Sequence, residues 1–155
     1  MLTFLTKCGR SLWSILFLLF LLASCKVTLL APYDEITDKT VTEMQEMTSA
    51  FFVALESEPD NAAMKYDNQK QFYQQLKVKA ATVRIRNMAI DKNKIMVSMI
   101  NELEANIGRL QQLHKGKPNG LLIPEEVTLL KETFETQYGA IIHFLMALKQ
   151  RAKAG

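Results

Sequence analysis

From residue 34 onward the apolar residues recur at intervals of three and four, and no stretch alternates with the two-residue period of a strand. That pattern restricts the chain to helices that each bury one face. The first segment spans about Glu35 to Glu58, with Ile36, Thr40, Met44, Met47, Phe51 and Leu55 on its stripe. Asp34 is placed to cap it and Pro59 to stop it. The second spans about Ala62 to Ile90, with Tyr66, Gln69, Tyr73, Leu76, Ala80, Val83, Asn87 and Ile90 in register. Asp91-Lys92-Asn93 is the expected break, with a kinked continuous helix as the alternative. A third segment, about Lys94 to His114, carries Met96, Met99, Leu103, Ile107, Leu110 and Leu113. Gly116, Pro118, Asn119 and Gly120 make a loop. The fourth starts at Pro124 with Glu125 and Glu126 in its first turn, where the helix dipole favours negative charge. Its stripe is Val127, Leu130, Phe134, Tyr138, Ile141, Leu145 and Leu148.

Four such helices with short links fold most simply as an all-α, up-down-up-down four-helix bundle over residues 34–155. Charge supports the first pairing. Residues 34–60 hold eight acids and one base, whereas residues 61–94 hold eight bases and two acids. An antiparallel hairpin sets these opposite signs side by side. Exposed ion pairs contribute only about 0–1 kcal/mol each, so they choose which faces meet more than how tightly.

The N-terminal 25 residues set the compartment. Lys7 and Arg10 form a positive start, and Ser11 to Ala23 is an apolar run of signal-peptide length. Arg10 and Lys26 leave 15 residues between them, about 22 Å of helix, short of a ~30 Å hydrocarbon core. An uncleaved anchor, with Lys26 snorkelling to the interface, is the alternative. The leader ends in Leu22-Ala23-Ser24-Cys25, an aliphatic residue, two small ones and a cysteine. This resembles the lipobox of bacterial lipoproteins. The resemblance implies that residues 1–24 are removed and that Cys25 carries a diacylglycerol thioether and an N-acyl chain. Residues 25–33 then form a lipidated cysteine and short tether. Lys26 follows the cysteine where the family's inner-membrane retention signal is Asp, which implies the periplasmic face of the outer membrane rather than the inner membrane. Cys8 leaves with the leader, so the mature chain has neither free thiol nor disulfide. Two or three acyl chains, at ~0.8 kcal/mol per buried methylene, hold such a protein durably on its bilayer.

Over the mature chain the pattern is similar to a group of small proteobacterial lipoproteins, a likeness that brings no activity with it. It rests on Pro32 to Asp38, Val41-Thr42-Glu43-Met44-Gln45, Phe51-Phe52, Leu110 to His114 and the tail from Lys149 to Gly155. Val41-Thr42-x-x-Gln45 also resembles, one residue off, the Leu-Thr-x-x-Gln motif of helical periplasmic stress-sensing chaperones, which carry two copies.

The tether from Lys26 to Tyr33 spans at most about 28 Å, so the bundle sits close to its bilayer. The up-down order gathers Arg84, Arg86, Lys92, Lys94, Lys149, Arg151 and Lys153 at that end. Lys92, Lys94, Lys149, Arg151 and Lys153 are candidates for headgroup contact. The favoured reading is complementation of helix dipoles, offset by Asp34, Glu35 and Asp38. At the other end Leu121-Leu122-Ile123 is expected to staple onto the fourth helix rather than serve as an exposed partner site.

Composition removes several classes. A chain 48% hydrophobic and 23% charged is neither disordered nor collagen-like, and a net charge of +3 gives no footing for nucleic acid. Two cysteines exclude a disulfide-stapled miniprotein. G-x-S-x-G, H-E-x-x-H, Walker and haem-attachment patterns are missing, so no enzyme is expected. His114, at a helix C-terminus that favours imidazolium, and His143 are read as structural, since a protein zinc site needs three or four ligands. Met44, Met47, Met96 and Met99 place paired thioethers on helical faces suited to Cu(I), yet the same positions are core positions where Met is ordinary filler. The expected role is therefore non-enzymatic: an envelope lipoprotein whose bundle binds another protein, with no cofactor beyond the lipid on Cys25. The alternatives are a chaperone or stress sensor and a Met-based metal- or ligand-binding bundle.

Overall fold

The computed structural model describes residues 31–154. Among them are four α-helices and two short 3-10 turns, with no strand. Helix α1 is Glu35–Ser57, α2 is Lys70–Met88, α3 is Lys94–Lys115 and α4 is Pro124–Ala154.

Each boundary has a local cause. The Asp34 carboxylate accepts the Thr37 N–H at 3.0 Å and caps α1, and Pro59 follows its end. Helix α2 begins later than the expected Ala62, because the ladder over residues 62–69 is diverted. The Asn68 and Gln69 side-chain amides donate to the Ala62 and Ala63 carbonyls at 2.8 and 2.9 Å. The Tyr66 N–H, which a helix would send to residue 62, goes instead to the Gly120 carbonyl at 2.8 Å. Two 3-10 turns, Ala62–Met64 and Tyr66–Asn68, result. Helices α2 and α3 are separate, and the chain turns between them with Lys92 at φ 64°. At α4, the Glu126 carboxylate accepts the Ile123 N–H at 3.2 Å, the returning half of a capping box.

The side chains fix the topology as up-down-up-down. Asp34 meets Arg86, and Glu43 meets Lys79, across an antiparallel α1/α2 pair. Arg84–Glu104 and Tyr73–His114 do the same across α2/α3. Asp38–Lys149, Thr48–Tyr138 and Glu56–Lys131 run down an antiparallel α1/α4 pair. An Asn106–Gln137 hydrogen bond of 2.9 Å closes the ring between α3 and α4. The acidic first segment does lie beside the basic second one.

The core is one cluster, and its largest fully buried side chains include Tyr73, Tyr138, Phe52 and Phe134. Two stripes are rotated by about one residue from expectation. On α1 the buried set is Thr37, Val41, Met44, Thr48, Phe51, Phe52 and Leu55, while Ile36 stands 52% exposed. Helix α1 packs between α2 and α4, and this turn brings Thr37 to Asn87 and Thr48 to Tyr138. On α3, Ile100 and His114 are buried where Met99 and Leu113 were expected, because His114 is claimed by Tyr73 and the Gly120 carbonyl. Leu121 and Leu122 close the end of the core and Ile123 faces out, so the triplet is mostly a staple.

Candidate functional site

The end of the bundle where the chain enters α1 is the most organised polar region. Ala31 is buried, and the Tyr33 hydroxyl donates to the Asp38 carboxylate at 2.6 Å. That hydrogen bond, then burial, holds the Tyr33 phenol above its usual range. Lys149 lies 3.5 Å from the same carboxylate and 5.3 Å from the centre of the Tyr33 ring. Lys149, near the C-terminal end of α4, thus clamps the segment leading into α1.

Beside the clamp a hydrogen-bonded chain runs inward from the surface. Arg86 makes a bidentate contact to Asp34 at 2.5 and 2.7 Å, which lowers the Asp34 carboxyl to about 2, with Thr37 helping. The Thr37 hydroxyl donates to Asp34 at 2.7 Å and accepts from the Asn87 amide at 2.8 Å. Asn87 in turn accepts from the Asn93 amide at 2.5 Å and donates to the Val83 carbonyl at 2.7 Å. Thr37, Asn87 and Asn93 are all buried. The Asn93 side-chain oxygen, Oδ1, ends the chain without a hydrogen-bond partner. Asn93 occupies the N-cap position of α3, but its side-chain oxygen accepts no N–H of the first turn, so it does not cap. The network therefore locks the α2–α3 turn to the start of α1.

The opposite end is built around His114, which is 0% exposed. Its Nε2 sits 2.9 Å from the Gly120 carbonyl, which can only accept, so Nε2 carries the proton. Nδ1 then accepts from the Tyr73 hydroxyl at 2.8 Å. Burial lowers the His114 pKa and raises that of Tyr73, so the ring is neutral. The expected imidazolium at a helix C-terminus is overturned, since desolvation outweighs the dipole in a closed core. Phe51, Tyr66 and Tyr73 surround the imidazole with centroids 5.7–6.0 Å away.

Between α1 and α4 an apolar groove of about 310 Å³ is lined by Ser49, Phe52, Phe134, Tyr138, Gly139 and Ile142, among others. Its floor holds the Thr48–Tyr138 hydroxyl pair, 3.1 Å apart, and burial pushes the Tyr138 phenol up to about 12.

Leu22, Ala23, Ser24 and Cys25 lie outside the described residues. Met44 and Met96 are 0% exposed in the core, and Met47 and Met99 pack against it. Of the bases, Arg84 pairs with Glu104 at 3.1 Å, Arg86 with Asp34 and Lys149 with Asp38; Lys92, Lys94, Arg151 and Lys153 also lie at that end, on the surface. His143 is exposed on α4. The buried polar chain and the Tyr33 clamp were not legible from spacing. Asn87 was the one available signal, a polar residue standing in an apolar stripe. Among the described residues no helix is long and apolar enough to cross a membrane. Comparison of the chain with protein-family models, with curated proteins and with solved structures returns no match.

Proposed function

We propose that the chain is a lipid-anchored envelope protein of non-enzymatic role, whose periplasmic bundle binds another protein at the outer membrane. The observation that carries this reading is Leu22-Ala23-Ser24-Cys25 directly after a 13-residue apolar run opened by Lys7 and Arg10. The bundle's geometry is compatible with a close tether. With Ala31 buried and Tyr33 held by Asp38, only residues 26–30 are left to span from the lipid, at most about 18 Å. The Tyr33 end then faces the bilayer, and exposed Lys94, Arg151 and Lys153 sit where anionic headgroups would meet them.

Intact mass and palmitate labelling of the envelope-expressed chain test the anchor. A mature species starting at Cys25 and carrying acyl mass is expected. An unmodified thiol at Cys25 in a cleaved chain would overturn it. Crosslinking in the native envelope tests the binding role, with discrete adducts expected.

A further inference from the structure

Helix α2 carries two apolar faces. Tyr73, Leu76, Ala80, Val83 and Asn87 point into the core. On the opposite side Gln71, Gln74, Val78, Ala81, Ile85 and Met88 follow one another at alternating steps of three and four, the a/d repeat of a coiled coil. Val78, Ile85 and Met88 are 60%, 62% and 63% exposed, among the most exposed large apolar side chains of the described residues. The glutamine half of this seam forms a shallow depression with Gln75 and Lys79.

The geometry points to this seam as the contact surface for a second copy of the chain, with two α2 helices packed parallel and in register. Rim charge is the first argument. Helix α2 has five bases and no acid, so two copies side by side would repel. Four of the five are instead paired with an acid of their own molecule, Lys70 with Asp67, Lys79 with Glu43, Arg84 with Glu104 and Arg86 with Asp34, while Lys77 is turned onto the Gln111 side-chain oxygen. The seam itself carries no charge. It therefore asks for no acidic partner and tolerates its own copy.

The glutamines set the direction. Parallel pairing places Gln71 and Gln74 opposite their own copies, where side-chain amides can donate to and accept from each other. Antiparallel pairing would lay Gln71 against Met88 and Gln74 against Ile85, leaving amides buried in apolar surroundings. The anchoring reading, on which this second argument rests, agrees. Two copies tethered to one bilayer by about 18 Å of chain cannot stand head to tail along the 19-residue α2, about 28 Å long. A seam this short is smaller than the ~1,600 Å² of a standard interface, and co-tethering, which raises effective concentration to about millimolar, strengthens the pairing.

Single cysteines introduced into the full-length chain in the envelope test this. Val78→Cys and Ile85→Cys are each expected to yield an oxidised dimer of twice the mature mass. Leu129→Cys, on exposed α4 surface, is expected to stay monomeric. Adding Val78→Glu is expected to lower the Ile85→Cys link roughly tenfold, with helicity by circular dichroism unchanged. A link that forms only when Gln74→Cys and Ile85→Cys chains are mixed shows antiparallel pairing and overturns the proposal. Seam cysteines that link only to a different polypeptide overturn it as well. So does the absence of links while palmitate remains on Cys25. Loss of the palmitate label with both seam links intact would instead remove the anchor and leave the seam standing.

Discussion

Tyr73 donates its hydroxyl to Nδ1 of His114 across 2.8 Å inside the bundle, and the pair joins α2 to the end of α3. Since Nε2 donates to the Gly120 carbonyl, the neutral ring offers Nδ1 as acceptor, and protonation there would leave the buried Tyr73 O–H without that acceptor.

This makes stability depend on pH with a defined sign. Burial lowers the His114 pKa below the ordinary value of 6.5, so the unfolded state takes up a proton first as pH falls. Stability is full above about 6.5 and declines below it, by up to about 1.4 kcal/mol per pH unit, until the folded-state pKa is passed. Urea midpoints between pH 8 and 5 should show the decline in the parent chain and in His143→Gln. In His114→Gln the same interval should be flat. Tyr73→Phe, which strips a buried acceptor of its donor, should cost about 1–3 kcal/mol at pH 7.5.

Asp34 does two jobs, capping α1 and receiving Arg86. Asp34→Ala should lower stability by about 1–2 kcal/mol, the range of a lost N-cap. Asp34→Asn keeps a capping oxygen but not the charge, and should fall between the two. Because the folded-state pKa is near 2 against 3.8 for the free group, this stabilisation is present above about 3.8 and is lost as pH falls toward 2. Acid titration followed by circular dichroism should show the parent holding a larger advantage over Asp34→Ala at pH 5 than at pH 2.

Three glycines should respond in opposite directions to alanine. Gly120 sits at φ 72°, and a Cβ there would lie 3.6 Å from Lys65. Gly120→Ala should cost about 1–2 kcal/mol for the left-handed backbone. Gly108 and Gly139 lie inside helices with nothing within 4 Å of an added Cβ. Alanine at either should add about 0.5–1 kcal/mol. Thermal melts of the three variants check both signs at once.

Cys25→Ala should abolish palmitate labelling and leave the precursor uncleaved at that position. Processing to the same mature mass would contradict the anchor.

Most of the fold was legible because helices announce themselves through local periodicity. Met44, Phe51, Leu55, Leu103 and Phe134 were placed in the core by spacing alone, and the opposed charges of the first two segments named their pairing. Asp34 and Pro124 marked helix starts through chemistry confined to neighbouring residues. What spacing could not decide was rotation by one residue. Ile36 against Thr37, Met99 against Ile100, and Leu113 against His114 are each 100° apart on a helix, and either choice leaves an acceptable stripe. Only the presence of Asn87 and Tyr138 beside α1, and of Tyr73 beside α3, turns Thr37 and His114 inward, and Ile100 lies on the same face as His114. The late start of α2 has the same origin, since the Tyr66 N–H is drawn to Gly120, 54 positions away in the chain. The chain alone determined its helices, their order and their charge pairing, because these follow from interactions within a few turns. The buried polar chain from Asp34 to Asn93, the neutral His114 and the clamp on Tyr33 arose only when distant helices met, because a hydrogen bond between them leaves no mark on the periodicity of either.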